Sequence, residues 1–160
     1  MPDSLLPKVV LPLLRGRLGR TWAAPAGTSI LCSLRLVPPV DPARLPELSL
    51  IAGGAVAAAI AGLGLEPTVK HPNDVLVGGR KVAGILAEAS EGRVTLGIGL
   101  NVTQSAEQLP PDACTPATSL RIELGRTVPR APLLADLLLE LERRYDAWLA
   151  DDERPAAVPG

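Results

Sequence analysis

Val75-Leu76-Val77-Gly78-Gly79-Arg80-Lys81-Val82-Ala83-Gly84-Ile85-Leu86, followed by Arg93-Val94-Thr95-Leu96-Gly97-Ile98-Gly99-Leu100-Asn101-Val102, decides the fold. Aliphatic runs on either side of a Gly-Gly pair predict a β-hairpin over Val75–Val77 and Lys81–Glu88. Arg93–Val102, rich in Val, Ile and Leu, predicts the next strand. Upstream, Thr68–Lys70 reads as a short strand, and Ser29–Val37 as a strand ended by Pro38-Pro39. Pro46 opens a helix to about Ala61, where Gly62 and Gly64 stop it. Downstream, Thr103–Thr118 is a polar, proline-rich loop. Ala131–Leu149 is an amphipathic helix with Pro132 in its first turn and Leu134, Leu138, Leu141, Tyr145 and Trp148 on one face. Asp136, Glu140, Arg143 and Arg144 fall elsewhere on it, as a solvated surface. Strands in the middle with helices to cover them predict an α+β fold with a mixed, mostly antiparallel sheet.

The chain has 160 residues, enough for one domain with a real core. It contains no Phe, one Tyr and two Trp, so that core must be aliphatic. With 16 basic and 17 acidic side chains, no global field favours nucleic acid or a membrane surface. Cys32 and Cys114 make no disulfide framework and read as reduced thiols of a cytoplasmic protein. One histidine, His71, cannot anchor a zinc site. Leu48–Leu65 carries no charge, but more than half of it is Ala or Gly, which drive membrane insertion weakly. A buried helix packed through small residues is the favoured reading. The N-terminus shows no signal-peptide pattern.

Four short motifs carry chemistry. Arg15-Gly16-Arg17-Leu18-Gly19-Arg20-Thr21-Trp22 is a cationic, glycine-containing loop able to wrap an anion with backbone N–H groups and guanidinium forks. It also reads as a solvated basic turn or an RNA-contacting patch, although it lacks the interleaved aromatics of a stacking platform. In Lys70-His71-Pro72-Asn73-Asp74, Asn73 and Asp74 can cap a turn, or face a nucleotide or metal ion with Lys70 beside them. Lys81 follows a Gly-Gly turn, where lysines are usually exposed, yet it leads an apolar run that suggests entry into a pocket. Gly97 and Gly99 alternate along a strand, which lets a backbone or ligand approach closely, and Asn101 closes that strand. Two lysines beside a carboxylate suit an anionic ligand carrying a metal, such as a nucleoside triphosphate with Mg²⁺.

In order, these segments resemble the catalytic domain of biotin–protein ligases, a family that includes lipoate–protein ligases. The family pattern is Gly-Arg-Gly-Arg-x-Gly-Arg-x-Trp, Lys-Trp-Pro-Asn-Asp, Lys-Leu-Ala-Gly-Ile-Leu and Gly-Ile-Gly-x-Asn; here it is matched by residues 15–22, 70–74, 81–86 and 97–101. Trp22 to Pro25, Gly27 and Ser33 keep the family spacing. The resemblance covers roughly residues 15–150, between an irregular N-terminal segment, 1–14, and a tail, 151–160.

The resemblance implies a class II aminoacyl-tRNA synthetase-like core and an ATP-dependent ligase. Biotin and MgATP would give biotinyl-5′-AMP, which then acylates a lysine of a biotin carboxyl carrier protein. By the same resemblance, Arg15, Gly16 and Arg17 belong to a loop closing over biotin and the adenylate, with Arg17 and Lys81 catalytic. Arg20 would reach phosphate and Trp22 would sit by the adenine. Lys81 would contact the biotin carboxylate and the α-phosphate. Lys70, Asn73 and Asp74 would line the nucleotide side, with Asp74 as the metal contact, and Gly97, Gly99 and Asn101 would complete the binding surface. The resemblance allows a homodimer and implies no nucleic-acid or membrane partner. The alternatives are a lipoate- or octanoate-handling relative, and a non-catalytic or partner-dependent remnant.

The departures are specific. The family's upstream Ser/Thr-Thr-Asn strand has no counterpart, and Leu11-Pro12-Leu13-Leu14 stands where Gln-x-Ala-Gly is expected. His71 replaces a Trp. The family's small β-barrel after the last helix and the DNA-binding domain of repressor-type members find no counterpart within these 160 residues. The expectation is a core shortened at both ends, with exposed sheet edge that weakens ligand binding or calls for a partner.

Overall fold

The computed structural model describes residues 9–10, 24–111 and 114–152. Six strands form one sheet: β1 (Val9–Val10), β2 (Ser29–Leu36), β3 (Pro67–Lys70), β4 (Asp74–Val77), β5 (Arg80–Ser90) and β6 (Arg93–Asn101). Their spatial order is β1-β2-β6-β5-β4-β3, and every neighbouring pair is antiparallel. The mixed sheet expected from the sequence is thus antiparallel between its strands. Its parallel element is an isolated bridge between Lys81 and Ala117. The helices are α1 (Glu47–Ala61), α2 (Leu120–Leu124) and α3 (Arg130–Asp152).

Side-chain alternation sorts the sheet into two faces. Ile30, Cys32 and Leu34 of β2 lie opposite Leu100, Ile98 and Leu96 of β6, which lie opposite Ala83, Ile85 and Ala87 of β5. Most of these residues, with Val75 and Val77 of β4, join Ala52, Ala55, Val56, Ala59 and Ile60 of α1 and Leu133, Leu137 and Leu141 of α3 in one core. Burying a Leu or Ile side chain contributes roughly 1.5–3 kcal/mol, so this aliphatic face is the main source of stability. The other face carries Ser29, Leu31, Ser33, Gly84, Gly97, Gly99 and Asn101.

α1 is buried through small residues, as the sequence implied: a Cβ on Gly53 would lie 3.1 Å from Val69 Cγ1, so helix and strand β3 approach closely there. Among the described residues, no helix is long and apolar enough to cross a membrane. In α3 the buried apolar positions are Leu133, Leu137, Leu141 and Trp148. Leu134 and Leu138, expected on the apolar face, flank the buried stripe as partly buried residues. Trp148 closes the stripe against Leu45 and Leu48; its indole N–H donates to Glu47 Oε2 (2.7 Å), and the Arg44 guanidinium lies 5.0 Å from its ring centroid.

Candidate functional site

The β4–β5 hairpin builds the site. Gly78 (φ +57°) and Gly79 (φ +75°) both adopt the left-handed backbone that a two-residue hairpin turn needs. From the turn, Val77 pairs with Arg80 and Leu76 with Lys81, but Val75 then pairs with Ala83. Val82 is therefore an extra residue on β5, a β-bulge, and its side chain is fully buried. The bulge changes the facing of Lys81. Regular pairing would set Lys81 on the helix-covered face with Ala83. The bulge sets it in register with Leu76, on the face that carries Asp74.

Lys81 Nζ lies 2.8 Å from Asp74 Oδ1, with the two side chains 31% and 18% exposed. This ion pair sits beside a floor without side chains: Asp74 is opposite Gly84, and Gly84 is opposite Gly99. Gly97 is opposite Leu86 and Ser33 on the same face. A Cβ at Gly97 would meet nothing closer than Leu86 O at 3.7 Å, so Gly97 is not required by packing. Its smallness leaves room on that face.

The turn before β4 is held by a backbone bond from Ile85 N–H to Asn73 C=O (2.8 Å), which fixes Asn73 and Asp74 relative to β5. Asn73 is half-buried, whereas Lys70 is exposed and lies opposite Asp74 across β3–β4. The proximity of two lysines to one carboxylate, legible in the sequence, therefore resolves into a close pair with Lys81 and a register neighbour in Lys70.

Asn101 is buried, and both ends of its amide are engaged inside the protein. Its Nδ2 donates to Thr118 O (2.9 Å), and its Oδ1 accepts from Gln104 Nε2 (3.0 Å). Gln104 Nε2 also reaches Ser29 Oγ at 2.5 Å, and Ser119 Oγ donates to Gln104 O at 2.6 Å. This network ties the end of β6 to β2 and to the entrance of α2, where Ser119 Oγ accepts from Ile122 N–H as the helix cap. Gln104, Thr118, Ser119 and Glu123 were not singled out by the sequence. The available signal was local: a Thr-Ser pair ahead of Leu120-Arg121-Ile122-Glu123 is a helix-start pattern.

Arg15, Gly16, Arg17, Arg20 and Trp22, the expected anion-binding loop, lie outside the described residues. Among the described residues, no group of three or more His, Cys, Asp or Glu side chains could hold a metal ion. A Mg²⁺ ion carried on a triphosphate asks the protein for only one or two carboxylates, and Asp74 supplies one already balanced by an ammonium. The residues therefore fit a metal that arrives with a nucleotide rather than a resident one. Cys32 is buried and Cys114 exposed, both as free thiols; burial pushes the Cys32 thiol up.

Residues 15–105 match the biotin/lipoate A/B protein ligase family. The chain belongs to that family. It is 46% identical over 140 residues to a Mycobacterium tuberculosis protein named biotin--[acetyl-CoA-carboxylase] ligase, an alignment covering 84% of this chain and 51% of that one. It is 37% identical over 147 residues to the bifunctional ligase/repressor BirA of Bacillus spizizenii, covering 88% of this chain and 45% of the relative. The chain thus spans about half the length of these relatives. Among solved structures, the Aquifex aeolicus biotin protein ligase in complex with biotin and ATP superposes with a TM-score of 0.77 at 30% identity, covering 86% of this chain and 58% of the other. The resemblance drawn from the four motifs and the α+β class are both borne out.

Proposed function

We propose that this chain is the catalytic core of an ATP-dependent biotin–protein ligase. The observation that carries the reading is the Lys81–Asp74 pair, turned by the Val82 bulge onto a glycine-floored face, in a chain whose relatives are named as biotin ligases and whose structural neighbour holds biotin and ATP.

In the first half-reaction a biotin carboxylate oxygen attacks the α-phosphorus of ATP, and the bond to the bridging oxygen of pyrophosphate breaks. Two anions must meet, so the barrier is chiefly electrostatic and orientational. Lys81 supplies a fixed positive charge where the carboxylate and the α-phosphate come together. Asp74 holds that ammonium in place before substrate binds. The floor at Gly84, Gly97 and Gly99 admits the bicyclic acid close to the sheet. Asp74 would hold a Mg²⁺ ion arriving with the nucleotide, and that ion would supply positive charge to offset the pyrophosphate. Lys70 and Asn73 line the nucleotide side. Arg15, Gly16, Arg17, Arg20 and Trp22 supply the cover over the adenylate. In the second half-reaction the neutral amine of a lysine on a biotin carboxyl carrier protein attacks the acyl carbon of biotinyl-5′-AMP, AMP leaves with the anhydride electron pair, and the nitrogen gives up one proton to solvent as the amide forms. The reading also includes a cytoplasmic location and allows a homodimer.

Biotin-dependent exchange of pyrophosphate into ATP tests the first half-reaction, with octanoate as the parallel acid. Exchange with biotin and not octanoate supports the reading. Exchange with octanoate alone moves the chain to the lipoate- or octanoate-handling branch. No exchange with either acid from a folded chain overturns the catalytic reading in favour of a remnant.

A further inference from the structure

The start of β5 is held on a side where β6 has already ended. β6 pairs with β5 as far as Ala83, and residues 116–118 then take over that edge. Lys81 N–H donates to Pro116 O (2.7 Å), and Thr118 N–H donates to Lys81 O (2.8 Å), so both backbone groups of Lys81 belong to this strap. The strap is anchored in turn. Thr118 is fully buried, its carbonyl accepts from Asn101 Nδ2, and its hydroxyl donates to Glu123 Oε1 at 2.5 Å. Glu123 Oε1 also lies 2.6 Å from Arg80 Nη2, with the Glu123 side chain 12% exposed. One carboxylate of α2 thereby grips both the strap and the residue next to Lys81.

We propose that Glu123 is a positioning residue for Lys81. Through Thr118 and Arg80 it clamps residues 116–118 to the start of β5 and keeps the bulged backbone in the arrangement that turns the Lys81 ammonium toward Asp74. This deepens the ligase reading and rests on it for the catalytic consequence, but not for the structural one. α2 begins with its own cap at Ser119, so Glu123 is not needed to start that helix. Without the clamp the strap loosens, and Lys81 loses its fixed direction while its charge remains.

The test uses the whole chain carrying Glu123→Ala, Thr118→Val and Glu123→Gln. The chain has lysines only at positions 8, 70 and 81. Three ¹³Cε signals can therefore be assigned by Lys→Arg substitution and followed at one fixed pH. The expectation is that the Lys81 signal of the parent chain is distinct in shift and relaxes as a held side chain. Glu123→Ala and Thr118→Val merge it with the mobile lysine signals, and Glu123→Gln, which keeps an oxygen acceptor for both partners, retains it. In biotin-dependent exchange, the first two variants lower kcat about 10- to 100-fold with KM for biotin and ATP within about threefold, and Glu123→Gln stays within about threefold of the parent. A Lys81 signal and a kcat unchanged in Glu123→Ala and Thr118→Val overturn the proposal. Should Glu123→Ala fail to fold, the nearly isosteric Thr118→Val decides alone. If the parent chain shows no biotin-dependent exchange, the ligase reading fails, and the Lys81 signal still judges the positioning role.

Discussion

Lys81 and Asp74 meet at 2.8 Å because Val82 is an extra residue in β5. The bulge and the ion pair are one feature. A strand that alternated regularly from Ala83 back to Arg80 would send the lysine to the helix side of the sheet. The inserted valine fills the core while the lysine turns to the other face.

This pair is partly exposed, at 31% and 18%, and a solvent-accessible pair contributes about 1 kcal/mol or less to stability. Lys81→Ala should therefore shift the melting temperature by only a few degrees. On the proposed mechanism it should lower biotin-dependent exchange by at least about 10²-fold, the scale of losing one charge-stabilising donor. Calorimetry and exchange on the same preparation check both halves. A large loss of stability with activity retained would make the pair structural.

Gly97→Ala separates fold from function differently. The added methyl meets only ordinary contacts at 3.7 Å and 3.9 Å, and replacing a strand glycine removes conformational entropy from the unfolded chain. Thermal stability should hold or rise by up to about 1 kcal/mol. Because the methyl projects onto the proposed biotin face, KM for biotin should rise about tenfold or more, the scale of a group that does not fit. An unchanged KM would place biotin elsewhere.

The buried amide network is a stability device. Asn101→Ala leaves Thr118 C=O without its side-chain donor and removes the Oδ1 that accepts from Gln104 Nε2. Each unmet buried group costs about 1–3 kcal/mol. Urea denaturation should show a loss in that range with an unchanged m-value, and a change below about 0.5 kcal/mol would contradict the network's role.

Glu47 gives a pH prediction with a defined sign. The hydrogen bond from Arg44, and then that from the Trp148 indole, hold its carboxyl below the usual carboxylate range. A depressed folded-state value means the interaction is fully present above the unfolded value and is lost as pH falls through the folded one. The Trp148 indole N–H resonance should therefore hold at neutral pH and move on acidification with its midpoint below the ordinary glutamate value. Movement that is complete above that value would contradict the geometry.

Much of this molecule was legible in its sequence because local chemistry and tertiary structure agree there. Gly78-Gly79 set the hairpin, Pro46 and Gly62 bounded α1, and alternating aliphatics fixed the buried face of β6. Lys81 was singled out for leading an apolar run, and it does stand at the threshold of the core. What escaped was non-local. A bulge at Val82 depends on how two strands register, not on valine. The antiparallel order depends on which strand edges meet. The buried roles of Gln104, Thr118 and Glu123 depend on a loop returning to β5, and polar residues in a proline-rich stretch look solvated until that return is seen. In α3 Leu141 and Trp148 are buried as expected, but in its first half the apolar stripe is displaced by one position, since Leu133 and Leu137 compete with Leu134 and Leu138 for the same core and packing against α1 decides between them.

The most direct test is biotin-dependent ATP–pyrophosphate exchange on the purified 160-residue chain, with and without Lys81→Ala. The account predicts exchange that requires biotin and MgATP and that collapses in the variant while its fold survives. Exchange equal in both proteins would contradict the role assigned to Lys81, and no exchange in either, from a folded chain, would contradict the proposal that this core makes biotinyl-5′-AMP.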